Sequence, residues 1–185
     1  MIEIDDKQLE RVKTVLASVP KGANRAVSSA VNRAASAART EAVKQVRAQY
    51  IIKAQDVRSP MSIEKASPSG LMATLRASGR VIPLSKFRIS PASPPQTRPL
   101  RAQVRKGSAG GTLRHAFVAR MPSGHIGAYM RKTSKRLPIK ELFGPSVPHM
   151  IGNKEVMGKI EERAVEVLDE RLEHEITRLL KGYGK

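Results

Sequence analysis

From Ala23 to Tyr50 the chain runs without a single glycine or proline, and alanine is its commonest residue. Alanine is the strongest helix former, and nothing in this run breaks a helix, so one long helix is the only economical reading. Val27, Ala30, Val31, Ala34, Ala38, Ala42 and Val46 trace one slowly drifting stripe along it. Small residues on a stripe let a neighbouring element approach closely. Arg25, Arg33, Arg39, Lys44 and Arg47 fall off the stripe, on a face that is either solvated or turned toward nucleic acid or an acidic neighbour. Asn24 is placed to cap the helix.

A second strong period closes the chain. Val156, Ile160, Ala164, Leu168, Leu172, Ile176 and Leu179 recur at three or four residues, which predicts a long C-terminal helix over 153–181. Asn153 can cap it, Glu155 suits its first turn, and Gly182 and Gly184 end it. Its length leaves room to pack on its own core or on a helix of another subunit. A shorter amphipathic helix is expected over 5–19, capped by Asp5 or Asp6. Its stripe is Leu9, Val12, Leu16 and Val19, and Pro20-Lys21-Gly22 stops it.

Between the helices the period changes. Residues 51–70 predict a short helical turn near Lys53–Arg58, broken by Ser59-Pro60, and then a polar loop. Leu71–Ala77, Arg80–Ile89, Leu100–Arg105, Thr112–Met121 and Ile126–Lys132 are short runs bounded by turn signals, and they read as antiparallel strands. The segment 90–99 holds four of the twelve prolines and is expected as an extended arm, with Ser108–Gly111 as a flexible hairpin tip. The fold class is therefore α+β. N-terminal helices over 5–50, one of them long and Ala-rich, precede a central antiparallel sheet of about 4–5 strands over 71–132. A turn motif over 136–150 and the C-terminal helix complete a single domain, 1–185.

The chain's formal charge of +18 is concentrated in this middle region. Between Glu64 and Glu141 lie 76 residues with no carboxylate and 16 Lys or Arg. Such a stretch cannot neutralise itself by local ion pairs, so its counter-charge comes from ions, a neighbouring subunit or a polyanion. With no Cys there is neither a disulfide framework nor a thiolate metal site. No 18-residue apolar run exists to span a membrane.

Candidates for chemistry are few. His115, His125, His149 and His174 show no metal-ligand spacing. His115 falls in an expected strand, and Glu141 is expected to offset Lys140 or Arg136 or to cap the Leu142–Ser146 turn. The glycines of 107–111 lack the Lys-Ser/Thr pair of a phosphate loop. No catalytic, metal or cofactor residue is assigned, and an enzyme such as a nuclease, using Glu141 and His149, ranks last. Sequence-reading of nucleic acid is not expected either, since no base-reading motif is present and six aromatics are too few for a stacking platform. A sequence-nonspecific DNA- or RNA-binding protein acting through phosphate contacts is the alternative function.

One segment is distinctive: Arg-Leu-Pro-Ile at 136–139 followed by Gly-Pro-Ser-Val-Pro at 144–148. Ser146 can cap a helix there, and Pro148 is tolerated in its first turn. This pattern resembles the minor tail protein Z family of tailed phages and prophages. Ile82-Pro-Leu-Ser-Lys-Phe87 is similar to the family's basic-aromatic strand. His115–Ala119 followed by Gly124–Tyr129 is similar to its central hairpin. The resemblance implies a non-enzymatic virion protein, present in the host cytoplasm during assembly, that completes the head-proximal end of the tail. It implies a homo-oligomeric ring, commonly six-fold, around the DNA channel, with tail terminator and head–tail connector proteins as partners. Leu137, Ile139, Leu142 and Phe143 are expected to seek burial, which makes Arg136, Leu137, Pro138, Ile139, Leu142, Phe143, Gly144 and Pro145 the expected subunit or ring interface. Arg98, Arg101, Arg105, Lys106, Arg114, Arg131 and Lys132 are expected to meet lumenal DNA or an acidic partner.

Overall fold

The structure is a computed structural model and describes residues 6–15, 22–96 and 98–182. Its elements are α1 (Asp6–Val15), α2 (Gly22–Gln49), α3 (Ala54–Arg58), β1 (Met61–Glu64), β2 (Thr74–Ala77), β3 (Ile82–Pro83), β4 (Arg88–Ser90) and β5 (Leu100–Gln103). They continue with β6 (Gly111–Leu113), β7 (Ala116–Arg120), β8 (Ile126–Arg131), β9 (Ile139–Glu141), β10 (Phe143–Gly144), α4 (Val147–Ile151) and α5 (Lys154–Leu180). The class is α+β, with helices at both ends and strands between.

The chain divides into two compact units. The first comprises Met1–Ala42, Met61–Ala77 and Lys154–Lys185. Here the alanine stripe does what small residues allow. Val27, Ala30, Val31 and Ala34 of α2 share one buried cluster with Val12 of α1 and with Leu168, Leu172, Ile176 and Leu179 of α5. Every residue of both predicted long stripes is buried. Glu175, also buried on α5, is reconciled to that position by two partners, the Ser29 hydroxyl at 2.7 Å and the Arg178 guanidinium at 2.7 Å. Of the side chains expected along α1, only Val12 can be placed. The side chain of Leu9, with Leu16, Val19, the Asp5 or Asp6 cap, the Pro20-Lys21 stop and Gly184, falls outside the described residues.

Asn24 does not cap α2, which already begins at Gly22. Its side-chain amide instead donates to the Pro68 carbonyl at 3.0 Å. Two turns on, Asn32 donates to the Ala66 carbonyl at 2.9 Å and accepts from the Ala66 N–H at 2.8 Å. The polar loop between β1 and β2 is thus held to α2 by amides that mimic a strand edge. Ala66 is buried, so Asn32→Ala strands two backbone groups without water. The expected loss is about 2 kcal/mol, which a thermal melt should show as roughly a 4–8 °C fall in midpoint.

The second unit comprises Val43–Pro60 and Ser78–Asn153. Its strands, expected in one sheet, are distributed over separate small sheets, β4-β5-β6, β7-β8-β9 and β10-β3, while β1-β2 belongs to the first unit. Prolines at 83, 91, 94, 95, 99 and 122 interrupt any long ladder, because proline offers no N–H to a neighbouring strand. The run Thr112–Met121 is likewise two strands, β6 and β7. His115 sits in the turn between them at φ 63°, so it is not a strand residue. Strand β1 falls in the segment expected to be loop. Four residues with only Met61 and Ile63 apolar are too short a signal to be seen without their partner.

A basic surface and an exposed apolar turn

The second unit carries 18 Lys or Arg against two acids, Asp56 and Glu141, a formal +16 of the chain's +18. Both acids are already engaged, Asp56 with Lys86 at 3.2 Å and Glu141 with His125 at 2.7 Å. The first unit balances 16 basic residues against 14 acidic ones. The sequence charge therefore segregates by unit, and the basic unit has no free carboxylate among its described residues with which to cancel itself.

All seven predicted cationic contacts are exposed. They do not form one cluster. Arg98 and Arg101 line one cleft of the β4-β5-β6 sheet, and Arg98 donates to the Ser90 hydroxyl at 3.0 Å. Arg105 stacks over Tyr50, 5.4 Å from the ring centroid, and donates to its hydroxyl at 3.3 Å. Arg131, at the end of β8, lies 4.9 Å over the Phe117 ring. Arg101, Lys106, Arg114 and Lys132 make no ion pair among the described residues. Arg88, absent from the sequence expectation, lines the same cleft as Arg98 and Arg101. Only strand register reveals it, because Arg88 lies directly opposite Gln103 across the β4-β5 pair.

The 131–150 segment is built by backbone bonds on both sides. The Lys132 N–H donates to the Pro138 carbonyl at 3.0 Å and closes the basic turn. Strand β9 then pairs with β8, Arg131 opposite Ile139 and Tyr129 opposite Glu141. The Leu142 N–H donates to the Ala128 carbonyl, and the Leu142 carbonyl accepts from Leu84 N–H. Strand β10 pairs with β3, Gly144 opposite Ile82. Ser146 caps α4, its hydroxyl accepting from the His149 N–H at 3.4 Å, with Pro148 in the first turn as expected. Burial of the apolar residues is only partial. Ile139 and Leu142 are half-buried, with Gly144 and Pro145, whereas Leu137 is 64% and Phe143 45% exposed; Arg136 and Pro138 are exposed too. The ladders hold the segment's backbone in place and leave two of its apolar side chains uncovered.

Glu141 pairs with His125 and not with Lys140 or Arg136. Alternation along β9 sends Lys140, opposite Met130, to the other face, and leaves Glu141 on the Tyr129 side. Gly127 makes this cluster possible, since a Cβ there would stand 2.8 Å from the Glu141 carboxylate and 2.9 Å from the Tyr129 ring. Burial, and secondarily the Glu141 charge, push the Tyr129 phenol above its ordinary value. Among the described residues, no group of three His, Asp or Glu side chains is close enough to hold a metal, and no helix is long and apolar enough to cross a membrane.

Gln96 ties the proline-rich arm to β7. Gln96 donates to the Ala116 carbonyl at 3.2 Å and accepts from the Val118 N–H at 2.8 Å, so its amide acts as a one-residue strand on the open edge of β7. The 107–111 tip closes on β5, with Gln103 donating to the Ser108 carbonyl at 2.6 Å.

A family model described as prophage minor tail protein Z matches residues 7–185. No curated protein and no solved structure matches the chain.

Proposed function

The chain belongs to the prophage minor tail protein Z family and is a phage tail protein, and from this premise we propose that it completes the head-proximal end of the tail and joins tail to capsid as a ring around the DNA channel. The role is architectural, within the virion after assembly in the host cytoplasm. The ring is a homo-oligomer, with six copies as the expected number. The tail terminator and the head–tail connector are its neighbours. The observation that carries this reading is the exposure of Leu137, at 64%, and of Phe143, at 45%, next to and within the two short strand ladders of this segment. Apolar side chains held out rigidly suit a contact between copies, because little conformational freedom is lost when the partner covers them. Arg136, Pro138, Ile139, Leu142, Gly144 and Pro145 form the rest of that contact. The acid-poor unit suits a surface turned toward DNA or an acidic neighbouring ring.

The test is to supply purified protein to tails made without it. Joining to heads, with a label on the protein found at the head-proximal end, is the expected result. Tails that join without it, or a label at the distal end, would exclude the proposal. The 18-to-two charge balance of the second unit also favours another reading, a free sequence-nonspecific nucleic-acid-binding protein. Tight, steeply salt-dependent DNA binding by a strict monomer that tails do not need supports that reading instead.

A further inference from the structure

We propose that the face of the β4-β5 hairpin is a phosphate-binding cleft, with Arg88, Arg98 and Arg101 as its ligands and the nucleic-acid backbone as its occupant. Strand register carries the argument first. In an antiparallel pair, directly opposed residues share a face, and so do alternate residues along each strand. Arg88 opposes Gln103 and Ser90 opposes Arg101, so all four point to one side. Arg98, entering from the proline-rich segment, donates to the Ser90 hydroxyl at 3.0 Å and so joins the same side. The three arginines, with Ser90, Gln103 and Gly110, line one cleft of about 330 Å³.

Electrostatics carries it further. The arginines are oriented by neutral groups, Arg88 by the Gln103 side-chain carbonyl at 3.3 Å and Arg98 by Ser90. The unit's two acids are paired elsewhere. Three cations facing one cleft without a counter-ion repel one another, and an anion there relieves the repulsion. One carboxylate is saturated by one guanidinium fork. Three forks match successive phosphates, whose non-bridging oxygens accept such pairs. This inference rests on the tail reading only for which nucleic acid arrives.

The experiment is fluorescence anisotropy of the purified full chain with a labelled duplex of about two helical turns, over a range of salt. Arg88→Gln with Arg101→Gln removes two exposed side chains, so the variant folds, and its thermal midpoint verifies that. Its affinity should fall about tenfold near 0.1 M salt, and its log–log salt slope should fall by about two. Lys53→Gln with Lys135→Gln, an equal charge loss at two exposed residues of the same unit outside the 136–145 contact, should change affinity by less than about threefold. Displacement of labelled duplex by unlabelled duplex and not by pyrophosphate makes the nucleic-acid backbone the source of the phosphate. Efficient displacement by pyrophosphate makes it a free phosphate compound, with the cleft still a phosphate site. Equal losses in the two double variants, or displacement by polyglutamate as good as by unlabelled duplex, would overturn the proposal. Tails play no part in this measurement, so its failure leaves the joining role standing.

Discussion

Replacing Leu137 and Phe143 together by aspartate should abolish tail joining and leave a folded monomer. In the single chain Leu137 is 64% and Phe143 45% exposed, so only part of each side chain's packing is intramolecular. The thermal midpoint should therefore move by no more than about 2 °C, since exposed substitutions rarely cost over about 0.5 kcal/mol. The cost falls on association. Covering a leucine or phenylalanine contributes about 1.5–3 kcal/mol each, and a carboxylate forced into the same contact adds a desolvation penalty. A combined loss of about 4–6 kcal/mol corresponds to at least a thousandfold weaker contact. Light scattering should report the monomer, and joining should fall by a similar factor. A variant that still assembles and joins would place the contact elsewhere on the molecule.

Gly144→Ala should have the largest effect on stability of any single methyl group added to this segment. A Cβ at 144 would stand 2.5 Å from Cε2 of Phe87 and 3.0 Å from its Cζ. Phe87 is buried, so its ring has little room to retreat. Strand β10 has only two residues paired with β3, so moving Gly144 breaks the ladder that holds the turn. Overpacking of this kind costs about 1–3 kcal/mol, and the loss of ladder bonds takes the expected total to about 3 kcal/mol. For a chain of this size that is roughly a 6–12 °C fall in midpoint. Trimming the ring in Phe87→Leu should recover part of the loss, so the double variant should be more stable than the sum of the singles allows. Strict additivity would show that the clash is not the cause. Gly127 offers the milder comparison, because one of the atoms crowding it is the end of the flexible Glu141 side chain.

The limits of sequence reading follow the range of the interactions involved. The stripes from Val27 to Val46 and from Val156 to Leu179 were legible because helix periodicity is local and repeats over many turns. Ser146 as a cap was legible for the same reason, its partner being His149 three residues on. What depended on distant partners was not. Asn24 and Asn32 look alike as polar residues on α2, and only the placement of the loop at Ala66–Pro68 shows that they clamp it. Arg88 joins Arg98 and Arg101 through register across β4-β5. Glu141 finds His125 through the β8-β9 pairing. Apolar character alone predicted burial for the 136–143 turn, yet the strand ladders fix its backbone without covering Leu137 or Phe143. The concentration of the +18 charge in the middle of the chain was legible too, and the fold adds which residues group around it, in a unit of formal charge +16.

The most direct test is an electron-microscope reconstruction of the head-proximal end of tails carrying this protein. A closed ring of copies is expected, with residues 136–145 of one copy against the next and the acid-poor unit lining the channel. A tail end without such a ring, or a ring in which Leu137 and Phe143 face solvent while the basic unit points away from DNA, would contradict the account.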